Sequence, residues 1–204
     1  MPIYRDHIVP RLVGFVCGSS SLGGIRARTT AGLDGQLLEI GFGSGTNVPH
    51  YPAAVTRVLA VEPSATAWKM AAARIGAASM PIEQIGLDGQ SIPLEDASCD
   101  TALCTFSLCT IPDPGAALAE VRRVLRPGGR FHILEHGLAP DARVAAFQRR
   151  FDPIERRIAD GCHLSRDPLA LLQSGGFTLD DVEQKYGAGP KAWFYLTRAS
   201  AVRS

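Results

Sequence analysis

A chain of 204 residues with a formal net charge of +1 has no basic surface of the size that nucleic acid requires, so a nucleic-acid substrate or partner is not expected. Its 46% hydrophobic and 20% charged residues are typical of one soluble globular domain that buries about 70% of its unfolded surface. Five cysteines without a C-x-x-C pair argue against a disulfide framework and against a structural zinc site, and they favour reduced thiols in the cytoplasm.

The N-terminal part of the chain is predicted to be a helix and not a membrane span or a signal peptide. Residues 8–22 are apolar but too few to cross a bilayer, and Pro10 and Arg11 interrupt them near the start. We expect residues 1–30 to form a helical cap with one apolar face over the binding site that later segments predict. A weak contact of this face with a membrane surface is the lesser alternative. The face consists of Ile8, Leu12, Phe15 and Val16.

Residues 37–47 combine a buried strand with a glycine-rich loop. The run Leu37–Ile40 needs burial on both faces, as the first strand of a parallel sheet does. Three glycines follow at alternate positions, so the chain can turn sharply and its backbone can lie against a ligand. A second apolar run, residues 57–61, ends in Glu62, and an acidic side chain about 20 residues past such a loop suits two ribose hydroxyls. Loop and carboxylate together predict a nucleoside-bearing cofactor, whereas the loop alone could be an ordinary glycine turn.

The spacing of the glycines separates two classes of cofactor. A dinucleotide loop has the pattern G-x-G-x-x-G, but Thr46 stands where its last glycine should be, and Pro49 and Pro52 interrupt the helix that should follow. An NAD-linked oxidoreductase is therefore disfavoured. With Glu39 just before the loop, the pattern E-x-G-x-G-x-G resembles the first motif of the class I methyltransferases, which bind S-adenosylmethionine. A carboxylate near the loop also attracts a ligand that carries an ammonium and a sulfonium group.

The later elements alternate between short apolar runs and helical patterns, which predicts a mainly parallel sheet. Further strands are expected at residues 81–85, 101–105, 130–135, 177–184 and 193–197, and helices at 65–77, 115–125, 141–160 and from Pro168 to the Gly175-Gly176 stop. No helix separates the last two strands, so they are expected to form a hairpin. The fold class is thus α/β: a Rossmann-like seven-stranded sheet, mostly parallel with an antiparallel C-terminal hairpin strand, and helices on both faces. Residues 1–204 form one domain, with a lid insertion at 136–170.

Two further segments extend the resemblance to methyltransferases. The segment Asp88–Leu94 looks like the third-strand loop of class I methyltransferases of the ubiquinone and menaquinone biosynthesis type. That resemblance implies that Asp88 hydrogen-bonds the adenine amino group and that the backbone amide of Gly89 reads the ring. This chain departs from the family at Gln90, where the family has an acidic residue. The segment Glu120–Gly129 is similar to the helix-to-strand corner of the same family, and we expect it to contribute packing and a tight turn.

Four segments give a finer resemblance. They are Thr105–Cys109, Leu134–His136, Phe151–Pro153 and Asp160–Arg166. Together they look like the small-molecule methyltransferase group that includes the membrane-associated alkyl-thiol methyltransferases of mammals. Those proteins carry an N-terminal hydrophobic anchor, of which this chain has at most a shortened relative.

The resemblance implies a cofactor site for S-adenosylmethionine. Its predicted residues are Glu39, Gly41, Gly43, Gly45, Asn47, Glu62, Pro63, Asp88, Gly89, Thr105 and Phe106. The predicted catalytic residues are His136, which follows the fifth strand at the ligand-binding edge of the sheet, and Asp152 and His163, which lie in the lid. For each histidine a structural role is an equal alternative, and no metal ligand is predicted.

We expect methyl transfer from S-adenosylmethionine to a small acceptor, with a thiol as the favoured class. The alternatives are a quinone, phenol or phospholipid head group as acceptor, or an S-adenosylmethionine-binding protein without catalysis. In-line positioning and desolvation should supply most of the acceleration because the sulfonium is already a good leaving group. A thiol is partly ionised at neutral pH, and a nearby cation such as His136, His163 or Arg166 would raise that fraction. The chain is expected to act as a monomer or homodimer in the cytoplasm, with at most a peripheral membrane contact.

Overall fold

The computed structural model describes Tyr4 and residues 8–203, without the side chains of Val13 and Val16. Seven strands form one sheet: β1 (Gly35–Ile40), β2 (Val55–Val61), β3 (Ile82–Gly86), β4 (Cys99–Thr105), β5 (Leu125–His136), β6 (Phe177–Tyr186) and β7 (Tyr195–Arg203). Their order is β3-β2-β1-β4-β5-β7-β6. The pairs from β3 to β5 are parallel, and β7 runs antiparallel to both β5 and β6. The predicted fold class is confirmed, including the antiparallel hairpin strand.

Among the described residues, six α-helices accompany the sheet: α1 (Val9–Cys17), α2 (Gly23–Thr30), α3 (Ala65–Gly76), α4 (Pro114–Val124), α5 (Ala142–Ile158) and α6 (Pro168–Ser174). The side chains of Ser64, Asp113, Asp141 and Asp167 accept hydrogen bonds from backbone amides at the starts of α3 to α6. Such caps satisfy amides that have no partner within the helix, so the sequence fixes where these four helices begin. In the described part of the chain, no helix is both long and apolar enough to cross a membrane.

The two faces of the sheet are covered by different helices. Leu38 and Ile40 of β1 pack with α4 and α6 in one buried cluster, while Leu37 packs with α3 in another. Successive side chains of a strand point to opposite faces, so these clusters lie on the two sides of the sheet. A third cluster packs Ile25 of α2 against Leu134 of β5 and Leu196 of β7. Helices therefore lie on both faces, as the sequence predicts.

The largest differences from the predicted strand boundaries are at β5 and β7. β5 begins at Leu125 and not at Arg130, because Cys99 pairs with Leu125 while Thr101 pairs with Arg130, leaving an irregular stretch between the two registers. β7 begins at Tyr195 and extends to Arg203, beyond the predicted end at 197. β5 is longer than predicted at its amino end and β7 at its carboxyl end, so the carboxyl ends of the parallel strands stay in place.

The strand order places a crevice between β1 and β4. The chain continues from β1 toward β2 on one side of the sheet and from β4 toward β5 on the other, so the loops that follow β1 and β4 diverge. Open α/β sheets bind ligands at such a switch point, outside the carboxyl ends of the strands.

Candidate active site

One cleft of about 570 Å³ lies at the carboxyl edge of the parallel strands. Its walls come from the loops after β1, β2, β3 and β4, from α1 and α2, and from residues 159–161 after α5. Eight predicted site residues line it: Gly41, Gly43, Glu62, Pro63, Asp88, Gly89, Thr105 and Phe106. The other predicted residues, Glu39, Gly45, Asn47, His136, Asp152 and His163, lie outside its lining.

Gly41 and Gly43 adopt backbone conformations that side chains disfavour, with φ angles of +69° and +58°. A Cβ at Gly41 would lie 1.8 Å from Oγ of Ser107, so the loop after β4 packs directly against the glycine backbone. A Cβ at Gly43 would meet only the Gly41 carbonyl oxygen, at 3.9 Å, so that backbone faces open cleft. The first glycine thus serves packing and the second leaves room for a ligand.

Glu62 ends β2 and lies in the cleft wall. Its Oε2 accepts a hydrogen bond from the amide of Gly43, and its Oε1 accepts one from the amide of Ser64, both at 2.7 Å. Burial raises the pKa of Glu62, and the two amides oppose that effect. Each carboxylate oxygen can accept a second hydrogen bond, so Glu62 can hold the glycine loop and two ligand hydroxyls together.

Asp88 lies on the loop after β3, and Gln90 orients its carboxylate. Both the backbone amide and the side-chain amide of Gln90 donate to Oδ1 of Asp88, at 2.8 and 3.0 Å. These hydrogen bonds lower the pKa of Asp88 and, among the described residues, leave Oδ2 for a ligand. Oε1 of Gln90 accepts from the amide of Asp113, which anchors the loop to the start of α4. The departure from the family pattern at Gln90 therefore gives a neutral side chain that supports Asp88.

Glu39 points into the protein and not into the cleft. It is fully buried, and its two oxygens accept hydrogen bonds from the Asn47 side-chain amide, at 2.7 Å, and from the Tyr51 hydroxyl. Burial raises the pKa of Glu39 to about 7, against the opposing effects of these two hydrogen bonds. Asn47 also donates to Oγ1 of Thr105 at 2.9 Å, so this network joins the ends of β1 and β4.

Arg26 on α2 completes the network and lines the cleft. One guanidinium nitrogen donates to Oδ1 of Asn47 at 2.5 Å and to Thr105 at 3.3 Å, and the other donates to the carbonyl of Cys17 at 2.8 Å. The sequence interpretation missed this residue because α2 has no amphipathic pattern that would show which of its side chains are buried. Nothing in the sequence indicates that one arginine of that segment is buried.

The loop after β4 forms the next part of the wall. Phe106 has a φ of +53°, unusual for a residue with a side chain, and the guanidinium of Arg26 lies 5.4 Å from the centre of its ring. Glu135, fully buried at the end of β5, accepts from the amides of Ser107 and Leu108 at 2.7 and 2.9 Å. These contacts hold a backbone conformation that costs about 1–3 kcal/mol where nothing supports it. Such supported strain is typical of ligand sites.

His136 lies at the end of β5, directly behind the cleft wall. Its Nε2 is 3.1 Å from Sγ of Cys162, and Cys109 lies beside both. The hydrogen bond with Cys109 and the neighbouring His136 lower the pKa of the Cys162 thiol. No described residue hydrogen-bonds the buried Nδ1 of His136. The sequence interpretation selected His136 but gave neither Cys109 nor Cys162 a role at the site.

Asp152 and His163 meet beside a second depression of about 490 Å³ that adjoins the cleft. Oδ2 of Asp152 lies 3.3 Å from Nδ1 of His163, and Oδ1 accepts from the amide and hydroxyl of Ser165, both at 2.9 Å. His163 lines the depression, as do Arg156 and Arg157 at the end of α5. The depression and the cleft share three lining residues: Thr110, Pro112 and Gly161.

Helix α1 borders the cleft through a different face from the one predicted. Val9, Pro10, Gly14 and Cys17 line the cleft. The predicted apolar side chains of Ile8, Leu12 and Phe15 are exposed, Phe15 by 81%, while the Val16 side chain lies outside the described part. The prediction that this face covers the site was wrong, because the side of the helix with small residues approaches the glycine loop more closely.

Comparison with known proteins finds a methyltransferase domain and several methyltransferases among the similar proteins. Residues 38–133 match the family described as a methyltransferase domain. Thiol S-methyltransferase TMT1B of Rattus norvegicus is 32% identical over 161 residues, and that of Homo sapiens is 34% identical over 163. These matches cover 77% of this chain and 65% of each relative, so the matched part is less than two thirds of the length of these relatives.

Two further similarities cover a shorter stretch of the chain or a more distant protein. Ubiquinone/menaquinone biosynthesis C-methyltransferase UbiE of Caulobacter vibrioides is 50% identical over 48 residues, 24% of this chain and 19% of that protein. A solved structure of geranyl diphosphate methyltransferase in complex with S-adenosylmethionine superposes with a TM-score of 0.67 at 15% identity, covering 91% of this chain and 85% of that one. The structural match supports the fold.

Proposed function

We propose that the chain is a class I S-adenosylmethionine-dependent methyltransferase and that it transfers the methyl group to a small thiol. One observation carries the proposal: the cleft that holds Glu62 and Asp88, which suit a nucleoside, is also lined by the apolar side chains of Phe106, Ile111 and Pro112. We infer that these side chains leave room for a small apolar acceptor beside the cofactor. The relatives that span most of this chain are thiol S-methyltransferases, which supports a thiol as that molecule.

The residues of the cleft fit S-adenosylmethionine group by group. Glu62 would accept the two ribose hydroxyls, and the free oxygen of Asp88 would accept the adenine amino group. The open backbone at Gly43 leaves space for the methionine part. Arg26 supplies a positive charge in the cleft for the carboxylate of that part. We place Glu39, Gly45 and Asn47 behind this surface, where they position Arg26 and the loop.

When bound, S-adenosylmethionine supplies a methyl group on a positively charged sulfur that leaves as a neutral thioether. The acceptor thiol gives its proton to water, and its sulfur forms the new bond to the methyl carbon as the donor's carbon–sulfur bond breaks. The chain's own contribution is to align the two sulfurs and to exclude water, because enclosing a thiolate and a sulfonium without water strengthens their attraction. Apolar side chains at Phe106, Ile111 and Pro112 suit that role.

His136, Asp152 and His163 are the proposed helpers of this reaction. His136 lies behind the acceptor end of the cleft, close to Cys162. His163 lines the adjoining depression, where an acceptor would approach, and Asp152 positions its ring. We expect the loss of the His136 imidazole to lower kcat with S-adenosylmethionine affinity unchanged. Unchanged turnover in His136→Ala would remove this role.

We also propose that a helical cap, residues 1–30, and a lid, residues 136–170, cover the two sides of the cleft. Residues 1–30 cover the cofactor side of the cleft through α1 and α2, since Val9 and Arg26 line it. Residues 136–170 close the acceptor side, where Asp160 and Gly161 reach the cleft. Tyr4 donates a hydrogen bond to the Ile158 carbonyl at 2.6 Å, so the two segments meet. Deleting either should lower acceptor turnover, and hydrogen exchange should slow in both when cofactor and acceptor are present.

We also propose that the chain works in the cytoplasm as a monomer or homodimer, with at most a weak membrane contact through α1. Five cysteines in the free form support a reducing compartment. The exposed side chains of Leu12 and Phe15 would make any membrane contact. Sedimentation would give the oligomeric state, and flotation with lipid vesicles would detect membrane binding. Loss of flotation in a Leu12→Ser/Phe15→Ser variant would assign that binding to α1.

The test of the proposed function compares acceptors that differ in one atom. Purified protein and S-adenosylmethionine are incubated with an alkyl thiol, an aromatic thiol, and the alcohol and phenol of the same skeletons. We expect S-methyl products in equal amount to S-adenosylhomocysteine, and no O-methyl products. Methylation of a phenol, a quinone precursor or lipid vesicles, but not of thiols, would contradict the thiol proposal. Tight cofactor binding without transfer to any acceptor would contradict catalysis.

A further inference from the structure

Three side chains of metal-ligand type lie close together, and two of them adjoin residues in the chain that line the cleft. Cys109 lies in the loop after β4, His136 at the end of β5, and Cys162 in the loop after α5. Their ligand atoms, two sulfurs and one ring nitrogen, all lie within 4.8 Å of one another, and the His136 Nε2 to Cys162 Sγ distance is 3.1 Å. The three positions are 27 and 26 residues apart, so no local motif shows them in the sequence.

We propose that Cys109, His136 and Cys162 bind a zinc ion. Thiolates and imidazole are the ligands that zinc prefers, whereas magnesium and calcium require oxygen. Around a tetrahedral zinc ion, with bonds of about 2.0–2.3 Å, neighbouring ligand atoms are about 3.3–3.8 Å apart. The His136 Nε2 to Cys162 Sγ distance of 3.1 Å lies just below that range, and the other two separations are at most 4.8 Å. We expect small side-chain rotations to bring all three atoms to bonding distance.

The backbone around the three ligands is already fixed. The amide of His163 donates to the Cys109 carbonyl at 2.9 Å, which ties the loop after α5 to the loop after β4. The Cys162 amide donates to the Ala159 carbonyl at 3.0 Å, and Glu135 holds the amide of Leu108. Cys109 and Cys162 are only 4% and 8% exposed. Little conformational entropy remains to be lost on binding, so the site is preorganised.

Three protein ligands leave one position of a tetrahedral ion for water or a further ligand. Thr110 and Gly161, which adjoin Cys109 and Cys162 in the chain, both line the cleft. A thiol acceptor bound at that fourth position would lose its proton and become a thiolate beside the methyl donor. This last step rests on the proposed function, whereas the binding of zinc by the three side chains does not.

Cobalt titration tests the site directly. The protein is reduced, stripped with a chelator and titrated with Co²⁺, whose thiolate charge-transfer and visible bands report sulfur ligands and tetrahedral geometry. Zinc then displaces the cobalt, and competition with a coloured chelator gives the affinity. We expect one ion per chain, with both sulfurs bound.

Variants separate the proposed ligands from other cysteines. Cys109→Ser, Cys162→Ser and His136→Gln should each weaken zinc binding about 100-fold or more, whereas Cys99→Ser, a buried cysteine at the other end of β4, should not. Circular dichroism in metal-free buffer shows whether each variant is folded, and only folded variants are compared. Failure of the reduced protein to bind one ion, or equal binding by the Cys109→Ser/Cys162→Ser double variant, would overturn the proposal.

The zinc site and the proposed function can be refuted independently of each other. Thiol methylation by protein that binds no zinc would overturn the zinc site alone. Zinc binding through these ligands, with no methyl transfer to any thiol, would overturn the proposed function and leave the site in place.

Discussion

Gly41 and Gly43 are two apart in the same loop, yet the structure predicts different consequences when each is replaced by alanine. Both have positive φ angles, which cost an alanine about 1–2 kcal/mol. At Gly43 the added methyl group would enter open cleft. At Gly41 it would overlap Ser107, with distances of 1.8 Å to Oγ and 2.5 Å to Cβ. The pair therefore separates backbone strain from steric overlap.

The overlap at Gly41 cannot be relieved by rotating the Ser107 hydroxyl, because Cβ of Ser107 also clashes. The loop after β4 must move, which adds about 1–3 kcal/mol to the backbone cost. We therefore expect Gly41→Ala to lower the free energy of unfolding by about 2–5 kcal/mol and Gly43→Ala to lower it by about 1–2 kcal/mol. S-adenosylmethionine should bind the folded Gly43→Ala protein at least about tenfold more weakly, since the methyl group occupies its space.

Removal of the opposing side chain provides the control. In Gly41→Ala/Ser107→Gly the nearest Ser107 atom would be Cα, 3.9 Å from the new methyl group. This double variant should recover the stability that the overlap removes. The loss of stability that comes from backbone strain should remain. Urea denaturation measures both, and Ser107→Gly alone supplies the reference for a double-mutant cycle.

Two results would refute this reasoning. Equal destabilisation by Gly41→Ala and Gly43→Ala, with no recovery in the double variant, would mean that the contact with Ser107 does not limit the loop. Full S-adenosylmethionine affinity in Gly43→Ala would mean that this backbone does not face the cofactor.

Three further predictions concern single side chains. Arg26→Gln should weaken S-adenosylmethionine binding about tenfold or more in calorimetry because it removes the cation in the cleft. Arg28→Gln changes an exposed arginine of the same helix, which is paired with Glu183, and should leave binding unchanged. Equal effects of the two variants would contradict the role of Arg26. Asp88→Asn should weaken S-adenosylhomocysteine binding about tenfold but leave binding of its inosine analogue unchanged, and equal losses for the two ligands would argue against a bond to the adenine amino group. Burial raises the pKa of Glu39 from 4.5 to about 7, so the folded protein holds a proton there that the unfolded chain releases, and stability falls as pH rises through that window. Between about pH 5 and pH 8, Glu39 should lower the free energy of unfolding by about 2–3 kcal/mol, and Glu39→Gln should not show this loss. Identical pH profiles of the two proteins in urea denaturation would contradict this prediction.

The sheet could be predicted because its signals are local. Most of the parallel strands contain a short apolar run, and the lack of a helix between residues 184 and 193 predicts the hairpin. The start of α3 also follows from the capping residue Ser64, and that of α6 from Pro168. The identity of the cleft-lining loops follows from the fold, since the carboxyl ends of parallel strands meet at one edge.

Side-chain direction and long-range contact could not be predicted in the same way. Glu39 ends a buried strand, and nothing in its neighbours shows that it turns toward Tyr51 and away from the cleft. Helix α2 lacks a periodic apolar pattern, so the burial of Arg26 depends entirely on tertiary packing. Cys109 and Cys162 meet His136 only because three loops end at the same edge of the sheet.

Calorimetric titration of S-adenosylmethionine and S-adenosylhomocysteine, with NAD as a control, tests the central claim most directly. We predict micromolar binding of both nucleosides, no binding of NAD, and loss of binding in Glu62→Ala while that variant remains folded. Failure of the folded protein to bind either nucleoside, or undiminished binding in Glu62→Ala, would contradict the cofactor site described for this cleft.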